Sequence, residues 1–297
     1  MKRRTAVAVV IIVSCILVFG FISILAIFSI AGRSDMTFSG FGDKVAVIDL
    51  SGEITNSSDF IRQLKKYNKD NSVKAIVLHI DSPGGAVAPS QEMYEEILKV
   101  RQNGKIVVAS FGSVAASGGY YVGCAADKIV ANPGTLTGSI GVILSFPTAQ
   151  KLMEKIGLNW ETIKSGELKD VGSFSRAMTT EDERMLKAVI DDTYEQFVEA
   201  VAKGRDRDKE EIYPFADGSI FTGRQAYNIG LVDTLGSFED AVSMAGEMAD
   251  LGPNPDIVRE KRREPSFVDY LTGSMKFMEK ISDFEATGGP ALMYLYR

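Results

Sequence analysis

Apolar residues recur along this chain with two spacings, which separate predicted strands from predicted helices. Continuous apolar runs predict four strands, at residues 44–52, 73–80, 105–111 and 127–133. The second run, VKAIVLHI, is long enough and apolar enough for burial on both faces. Apolar positions three and four residues apart predict helices at 57–70 and 90–104. Strands that alternate with helices indicate βαβ units, so we expect an α/β fold with a largely parallel sheet.

The clearest helical pattern covers residues 180–203. Thr180 and Glu183 fit a capping box at its start, and Gly204 follows as a stop signal. Its apolar stripe consists of Leu186, Val189, Ile190, Phe197, Val198 and Val201. Two shorter helices are expected within 224–249. Prolines and basic residues then change the composition, so we predict a compact domain at 44–250 and a C-terminal extension at 251–297.

The N-terminus has the pattern of a membrane anchor. Residues 5–31 form 27 uncharged positions in a row, more than the roughly 20 needed to cross a bilayer. Residues 1–4 carry three basic side chains, which favours a cytoplasmic N-terminus and an extracytoplasmic domain. Residues 32–43 are rich in glycine and serine and are expected to be a tether. The expected location is therefore the cell membrane, with a single pass.

Charge and cysteine content exclude several function classes. The formal net charge is −6 and the basic residues are scattered, which argues against a nucleic-acid partner. Of the two cysteines, Cys15 lies in the predicted span, so Cys124 has no intrachain partner. The sequence contains no CxxC motif and no His/Cys cluster. We therefore predict neither a metal site nor a cofactor.

The segment GSVAASGGYY (112–121) contains a candidate nucleophile, Ser117. A serine between a strand and a helix is exposed by the turn, and the helix start offers unpaired N–H groups. The string AASGG approaches the G-x-S-x-G elbow, with Ala115 in place of the first glycine. A core helix that starts with small residues has the same local pattern, so the string alone does not establish catalysis.

A nucleophilic serine needs a base, and the residues leave three candidates open. The single histidine, His79, precedes Ser117 within a predicted strand, where a structural role is common, and a triad with Asp81 stays open. Lysine also serves as a base for serine once its pKa is lowered by burial. The segment IKSGELKD (163–170) offers Lys164 and Lys169, which are equally compatible with two solvated lysines.

A second glycine-rich loop, DSPGG (81–85), follows the buried strand. Glycines after proline let backbone N–H groups approach a ligand, although Pro-Gly also marks ordinary turns. Both glycine-rich loops end strands of the predicted parallel sheet. Sites in α/β proteins form at that edge, so the loops are expected to share a site.

Five blocks in order resemble the signal peptide peptidase (SppA) family of Ser/Lys-dyad serine proteases: IDSPGG, SVAASGGYYV, NPGTLTGSIGVI, KSGELKD and GSIFTGRQAYNIGLVD. The resemblance covers about residues 44–250 and implies a ClpP/crotonase-like fold of stacked β-β-α units. It implies Ser117 as nucleophile and Lys169, rather than Lys164, as general base. It also implies that Ser139 orients the base. The implied oxyanion hole is the N–H of Gly118 with that of Gly84 or Gly85.

The resemblance implies a membrane-anchored endopeptidase that degrades cleaved signal peptides and other apolar peptides. It further implies a homo-oligomer in which subunits complete each other's grooves. His79 departs from the family pattern, where arginine is expected. Two alternatives stay open, a crotonase-type enzyme acting on acyl-CoA thioesters and a non-proteolytic scaffold in membrane quality control.

Apolar residues near these motifs are candidates for the groove that holds the peptide. Tyr120, Leu144 and Phe146 are the candidates, although aromatic and aliphatic residues at such spacings are more often core. The C-terminal segment ALMYLY (291–296) is itself apolar and extended. It is expected either to pack as an ordinary terminal strand or to occupy a substrate groove as a self-inhibiting peptide.

Overall fold

The computed structural model describes residues 42–260 and 292–295. The predicted anchor (5–31), the residues before it, nearly all of the tether (32–43) and most of the C-terminal extension lie outside these residues. Within the two described ranges, no helix has both the length and the apolar character needed to cross a bilayer.

Most strands of the described chain join one sheet. The strands are β1 (Lys44–Ser51), β2 (Val73–Ser82), β3 (Gly84–Ala86), β4 (Ile106–Ala116), β5 (Lys128–Ala131), β6 (Leu136–Gly138), β7 (Ile143–Leu144), β8 (Ile220–Thr222), β9 (Thr234–Leu235), β10 (Asp256–Arg259) and β11 (Leu292–Leu295). Eight of them form a sheet with the main order β10-β1-β2-β4-β5-β9, and β6 pairs with β4 and β8. Every pair in it is parallel except β6–β8. The remaining three form a second sheet in the order β3-β11-β7.

Helices cover both faces of the larger sheet. They are α1 (Ser58–Lys69), α2 (Val87–Gln102), α3 (Gly118–Gly123), α4 (Gln150–Ile156), α5 (Thr180–Arg205), α6 (Lys209–Ile212), α7 (Gly223–Asn228) and α8 (Phe238–Met248). Two 3₁₀ turns, Glu167–Asp170 and Tyr213–Phe215, complete the described chain. The predicted mixed α/β fold with a parallel-rich sheet is confirmed.

The continuous apolar strands are explained by burial on two faces. Along β2, Ala75 and Val77 pack with α8 in one cluster, whereas Ile76 and Leu78 belong to the larger cluster on the opposite face. Because successive side chains of a strand point to opposite faces, a strand covered on both sides needs apolar residues at every position.

Helix α5 begins and ends differently from the prediction. Its capping box is formed by Thr179 and Asp182, one residue before the predicted pair Thr180 and Glu183. The prediction that Gly204 ends the helix is wrong, because the helix continues to Arg205. A side chain at position 204 would come within 2.1 Å of the Cys124 carbonyl oxygen. This glycine instead permits the close approach of α5 to the end of α3. Only the second half of the predicted stripe is buried, from Phe197 onward.

Candidate active site

Ser117 lies on the sharp turn between β4 and α3. Its φ of +53° and ψ of −118° are rare for a residue with a side chain. Backbone bonds hold the turn: the Ser117 N–H donates to the Gly138 carbonyl, and the Ser117 carbonyl accepts from the Tyr121 N–H, both at 2.8 Å. The hydroxyl has no hydrogen-bond partner among the described residues. Strand, strained turn and helix together have the backbone arrangement of a nucleophile elbow, and this turn is called the elbow below.

Ser139 leaves the sheet beside Ser117. Parallel pairing of β4 with β6 sets Ala116 opposite Gly138, the last residue of each strand, and a serine follows each of them. Ser139 also has a positive φ, +50°, and its N–H donates to the Ser219 carbonyl at 2.8 Å. Both serines are buried. The sheet register therefore brings together two residues that lie 22 positions apart in the sequence.

The SPGG glycines form β3, next to this turn. The Gly84 N–H donates to the Ser82 hydroxyl at 3.1 Å and is already used. The Gly84 carbonyl and the Ala86 N–H both bond to Ile54. Because backbone groups of successive strand residues point to opposite sides, the Gly85 N–H faces away from Ile54, toward β11. Of the two glycines, Gly85 is thus the one whose N–H points into the space that β11 occupies.

The C-terminal segment lies across these elements as an extended strand. β11 pairs antiparallel with β3, with Tyr294 opposite Gly85, and also with β7, with Met293 opposite Ile143. A side chain built on Gly84 would come within 2.2 Å of the Tyr294 carbonyl oxygen, and one on Gly118 within 3.1 Å. The Tyr294 carbonyl therefore lies against the glycines that flank the elbow.

The Tyr294 side chain fills a buried aromatic pocket between α3 and α5. Its ring stacks on Tyr121 at 5.1 Å between centroids and contacts Phe197 at 4.6 Å. Its hydroxyl donates to the Thr193 carbonyl at 3.1 Å. Burial raises the pKa of this phenol, which stays neutral and able to donate. The pocket therefore fits an aromatic side chain that carries a hydroxyl.

The two candidate lysines have different surroundings. The Lys164 Nζ donates to the Asp170 carboxylate at 2.9 Å and to the Glu167 carbonyl at 2.8 Å, so this amine is engaged as a donor. Lys169 lies on the 3₁₀ turn Glu167–Asp170, is exposed, and its side chain bonds to no described residue. The burial expected of a base is therefore not met by the described residues of one chain.

Comparisons with known proteins agree with this geometry. Residues 99–252 match the model of Peptidase family S49, and residues 37–135 match that of Clp protease. A Synechocystis sp. protein provisionally named a protease is 41% identical over 241 residues, which cover 81% of this chain and 87% of the relative. The chain belongs to peptidase family S49. It is a serine peptidase, and the crotonase-type alternative is set aside.

Two other relatives of this S49 peptidase are longer than the chain. An Enterococcus faecium protein provisionally named signal peptide peptidase SppA is 41% identical over 65% of this chain and 56% of its own length. Protease 4 of Haemophilus influenzae is 36% identical over 69% of this chain. The chain spans about a third of that relative, 35% of its length.

Other candidate residues of the S49 chain lie away from the elbow. His79 pairs with Ser110 of β4, seven residues and on the order of 20 Å of strand before Ser117, and its ring contacts Phe238. The triad of His79 with Asp81 is therefore wrong. Tyr120, a candidate for the groove, is instead core, with its hydroxyl bonded to the Leu231 carbonyl.

Sequence reasoning missed the aromatic pocket. Tyr121 stands within the SGGYY string, and Phe197 within the apolar stripe of α5. Nothing in either pattern indicates that the two rings meet, because they belong to elements far apart in the sequence.

Leu144, a candidate for the groove, lies beside the C-terminal strand through the pairing of β7 with β11. Burial raises the pKa of the Cys124 thiol to about 12, so it is no competing nucleophile.

Proposed function

We propose that this S49 peptidase is a membrane-anchored endopeptidase that cleaves apolar peptides, cleaved signal peptides among them, through an acyl-enzyme on Ser117. One observation carries the proposal: residues 292–295 lie as an extended strand between β3 and β7, with a carbonyl against the glycines beside Ser117. A peptide in this position would form main-chain hydrogen bonds on both sides.

The chemistry follows from the elbow and its glycines. The Ser117 oxygen attacks the scissile carbonyl carbon while the neutral amine of Lys169 takes the hydroxyl proton. The N–H groups of Gly85 and Gly118 stabilise the oxyanion. Collapse breaks the C–N bond, and Lys169 returns the proton to the leaving amine. Water, deprotonated by the same lysine, then releases the acid and restores Ser117. Ser139, beside Ser117, would orient the amine without adding charge.

We infer that Lys169 serves the Ser117 of a neighbouring subunit. A lysine exposed to water keeps its proton at neutral pH, so a lysine base needs a dry surrounding, which the described residues of one chain do not supply. Nine of the fourteen large apolar side chains exposed on the described residues lie between Ile143 and Met178, around this turn. Exposed apolar residues at this density favour contact with a second copy of the chain. The same contact would bury Lys169.

The proposed anchor consists of residues 5–31, with residues 1–4 in the cytoplasm and the peptidase domain outside the membrane. This arrangement would hold the groove near the place where signal peptides are released. Its support is the uncharged run and the flanking basic residues of the sequence. The relative named after signal peptide peptidase agrees with this class of substrate.

Covalent labelling tests the nucleophile. A fluorophosphonate probe reacts with activated serines, so peptide mapping of the labelled full-length protein should find the adduct on Ser117. Prior incubation with a peptide that has tyrosine before the scissile bond should slow labelling, because it occupies the same groove. An adduct on Ser139, or no adduct in protein that hydrolyses peptide, would contradict the assignment.

The C-terminal strand should compete with added peptides. Deletion of residues 290–297 is expected to raise the turnover of a short fluorogenic peptide several-fold, since a tethered peptide has an effective concentration near millimolar. Tyr294→Asp in the full chain should act in the same direction, because the pocket around Tyr294 excludes charge. Tyr227→Asp, at an exposed tyrosine, is the matched control. Unchanged rates in both tail variants would show that this strand does not obstruct the groove.

A further inference from the structure

Four charged side chains surround the turn that carries Lys169. This group, here the Arg176 cluster, consists of Lys164, Asp170, Arg176 and Asp182. Asp170 accepts from Arg176 Nε at 3.0 Å and Nη2 at 2.7 Å, and from Lys164 Nζ at 2.9 Å. Arg176 Nη2 also donates to Asp182 at 3.2 Å, and Nη1 donates to the other oxygen of that carboxylate. One guanidinium thus bridges two carboxylates.

The Arg176 cluster ties the turn to the beginning of α5. Asp170 is the last residue of the 3₁₀ turn, one position after Lys169. Asp182 is 1% exposed, and it accepts from the Thr179 N–H within the capping box of α5. The longest helix of the described chain therefore fixes the position of the turn. The Lys169 backbone is held, whereas its side chain is left without a partner in the described chain.

The cluster is also electrically balanced, with two cations and two anions. The Arg176 guanidinium, followed by the Lys164 amine, holds the pKa of Asp170 well below its usual range, so this carboxylate stays charged at any working pH. An unpaired carboxylate beside Lys169 would favour its protonated amine, the form that cannot act as a base. Glu167, on the same turn, also lies within 3.8 Å of the Lys164 amine, but its side chain is 96% exposed and its charge is therefore screened by solvent.

We propose that Arg176 is a positioning residue for the general base: it holds the Lys169 turn on α5 and cancels the charge of Asp170. The proposal rests on the proposed function, in which Lys169 takes the Ser117 proton. Arg176 itself touches neither substrate nor Ser117 in this role. It acts by setting the charge around an amine that must lose its proton to work.

The pH dependence of peptide turnover tests this role. A lysine base gives a kcat/KM that rises with pH through its own pKa. Arg176→Gln exposes the Asp170 charge, so the rising limb should move to higher pH by about half to one unit. Asp170→Asn removes that charge and leaves Lys164 uncompensated, so the limb should move to lower pH. Arg176→Lys keeps the positive charge but loses the planar guanidinium that bridges two carboxylates. The rising limb of its pH profile should therefore stay in place while kcat/KM falls.

Opposite shifts separate an electrostatic role from a structural one. Arg176→Gln leaves Asp182 buried without its partner and risks misfolding, so Asp170→Asn carries the test if that variant fails. Arg184→Gln is the matched control. It also removes one positive charge, from an exposed ion pair with Glu181 on α5, and the rising limb of its pH profile should not move. If the rising limb of the pH profile stays fixed in Arg176→Gln and Asp170→Asn, or moves in the same direction in both, the proposal is overturned. Full turnover in Lys169→Ala would instead overturn the proposed function.

Discussion

A mixture of Ser117→Ala chains and Lys169→Ala chains should hydrolyse peptide, although neither variant does so alone. Each substitution removes one half of the proposed dyad, and the loss in kcat is expected to reach at least about 10³-fold. When the two chains are co-expressed and purified as one oligomer, some grooves combine an intact serine with the intact lysine of a neighbour. Random assembly yields such grooves at about a quarter of the positions.

Two controls make the mixing result specific. A mixture of Ser117→Ala with the double variant Ser117→Ala/Lys169→Ala should stay inactive, because no subunit then supplies a nucleophile. Lys164→Ala should retain far more turnover at high pH than Lys169→Ala, since its amine is engaged with Asp170 and Glu167 and its loss changes only the charge near Lys169. No recovery in oligomers that contain both chains by mass would mean that Ser117 and its base belong to one chain. Equal loss in Lys164→Ala and Lys169→Ala would leave the base unassigned.

The sequence predicts the elements of this fold well, because hydrophobic periodicity is a local property. The strand predicted at 73–80 is observed as Val73–Ser82, and the helix predicted at 57–70 as Ser58–Lys69. The capping box of α5 is displaced by one residue, since Thr179 and Thr180 are adjacent and only the backbone angles decide between them. Gly204 carries no helix end, because the need for glycine there comes from its contact with Cys124 in the folded chain, which a local pattern does not contain.

The candidate site is less accessible to sequence reasoning, because its parts are joined by long-range pairing. Ser117 and Ser139 become neighbours through the register of β4 and β6. The strand at Tyr294 meets Gly85 across more than 200 residues of chain. Arg176 belongs to no motif, and the role proposed for it rests on the two carboxylates that it bridges in the folded chain. Contacts of this kind depend on the folded chain, not on a repeating pattern.

Gly84→Ala should reduce peptide turnover by at least about 100-fold, the scale expected when an oxyanion site is disrupted. Gly84 has a φ of +100°, and a methyl group there would come within 2.6 Å of the Gly118 nitrogen and 2.2 Å of the Tyr294 carbonyl oxygen. The first contact would displace the Gly118 N–H, which the proposed mechanism assigns to the oxyanion, and the second would fill the position proposed for the scissile carbonyl. Backbone atoms cannot move aside as the end of a flexible side chain would.

Gly104→Ala separates this steric effect from the cost of backbone strain. Gly104 also has a positive φ, +83°, but a methyl group there would meet no atom within 4 Å. Alanine in this conformation costs about 1–2 kcal/mol, so the midpoint temperature of thermal unfolding should fall by a few degrees in Gly104→Ala. It should fall further in Gly84→Ala, whose methyl group also meets backbone atoms. Only Gly84→Ala should lose turnover while it keeps its fold, measured by circular dichroism. Similar turnover in the two variants would show that the Tyr294 carbonyl does not mark where the scissile bond binds.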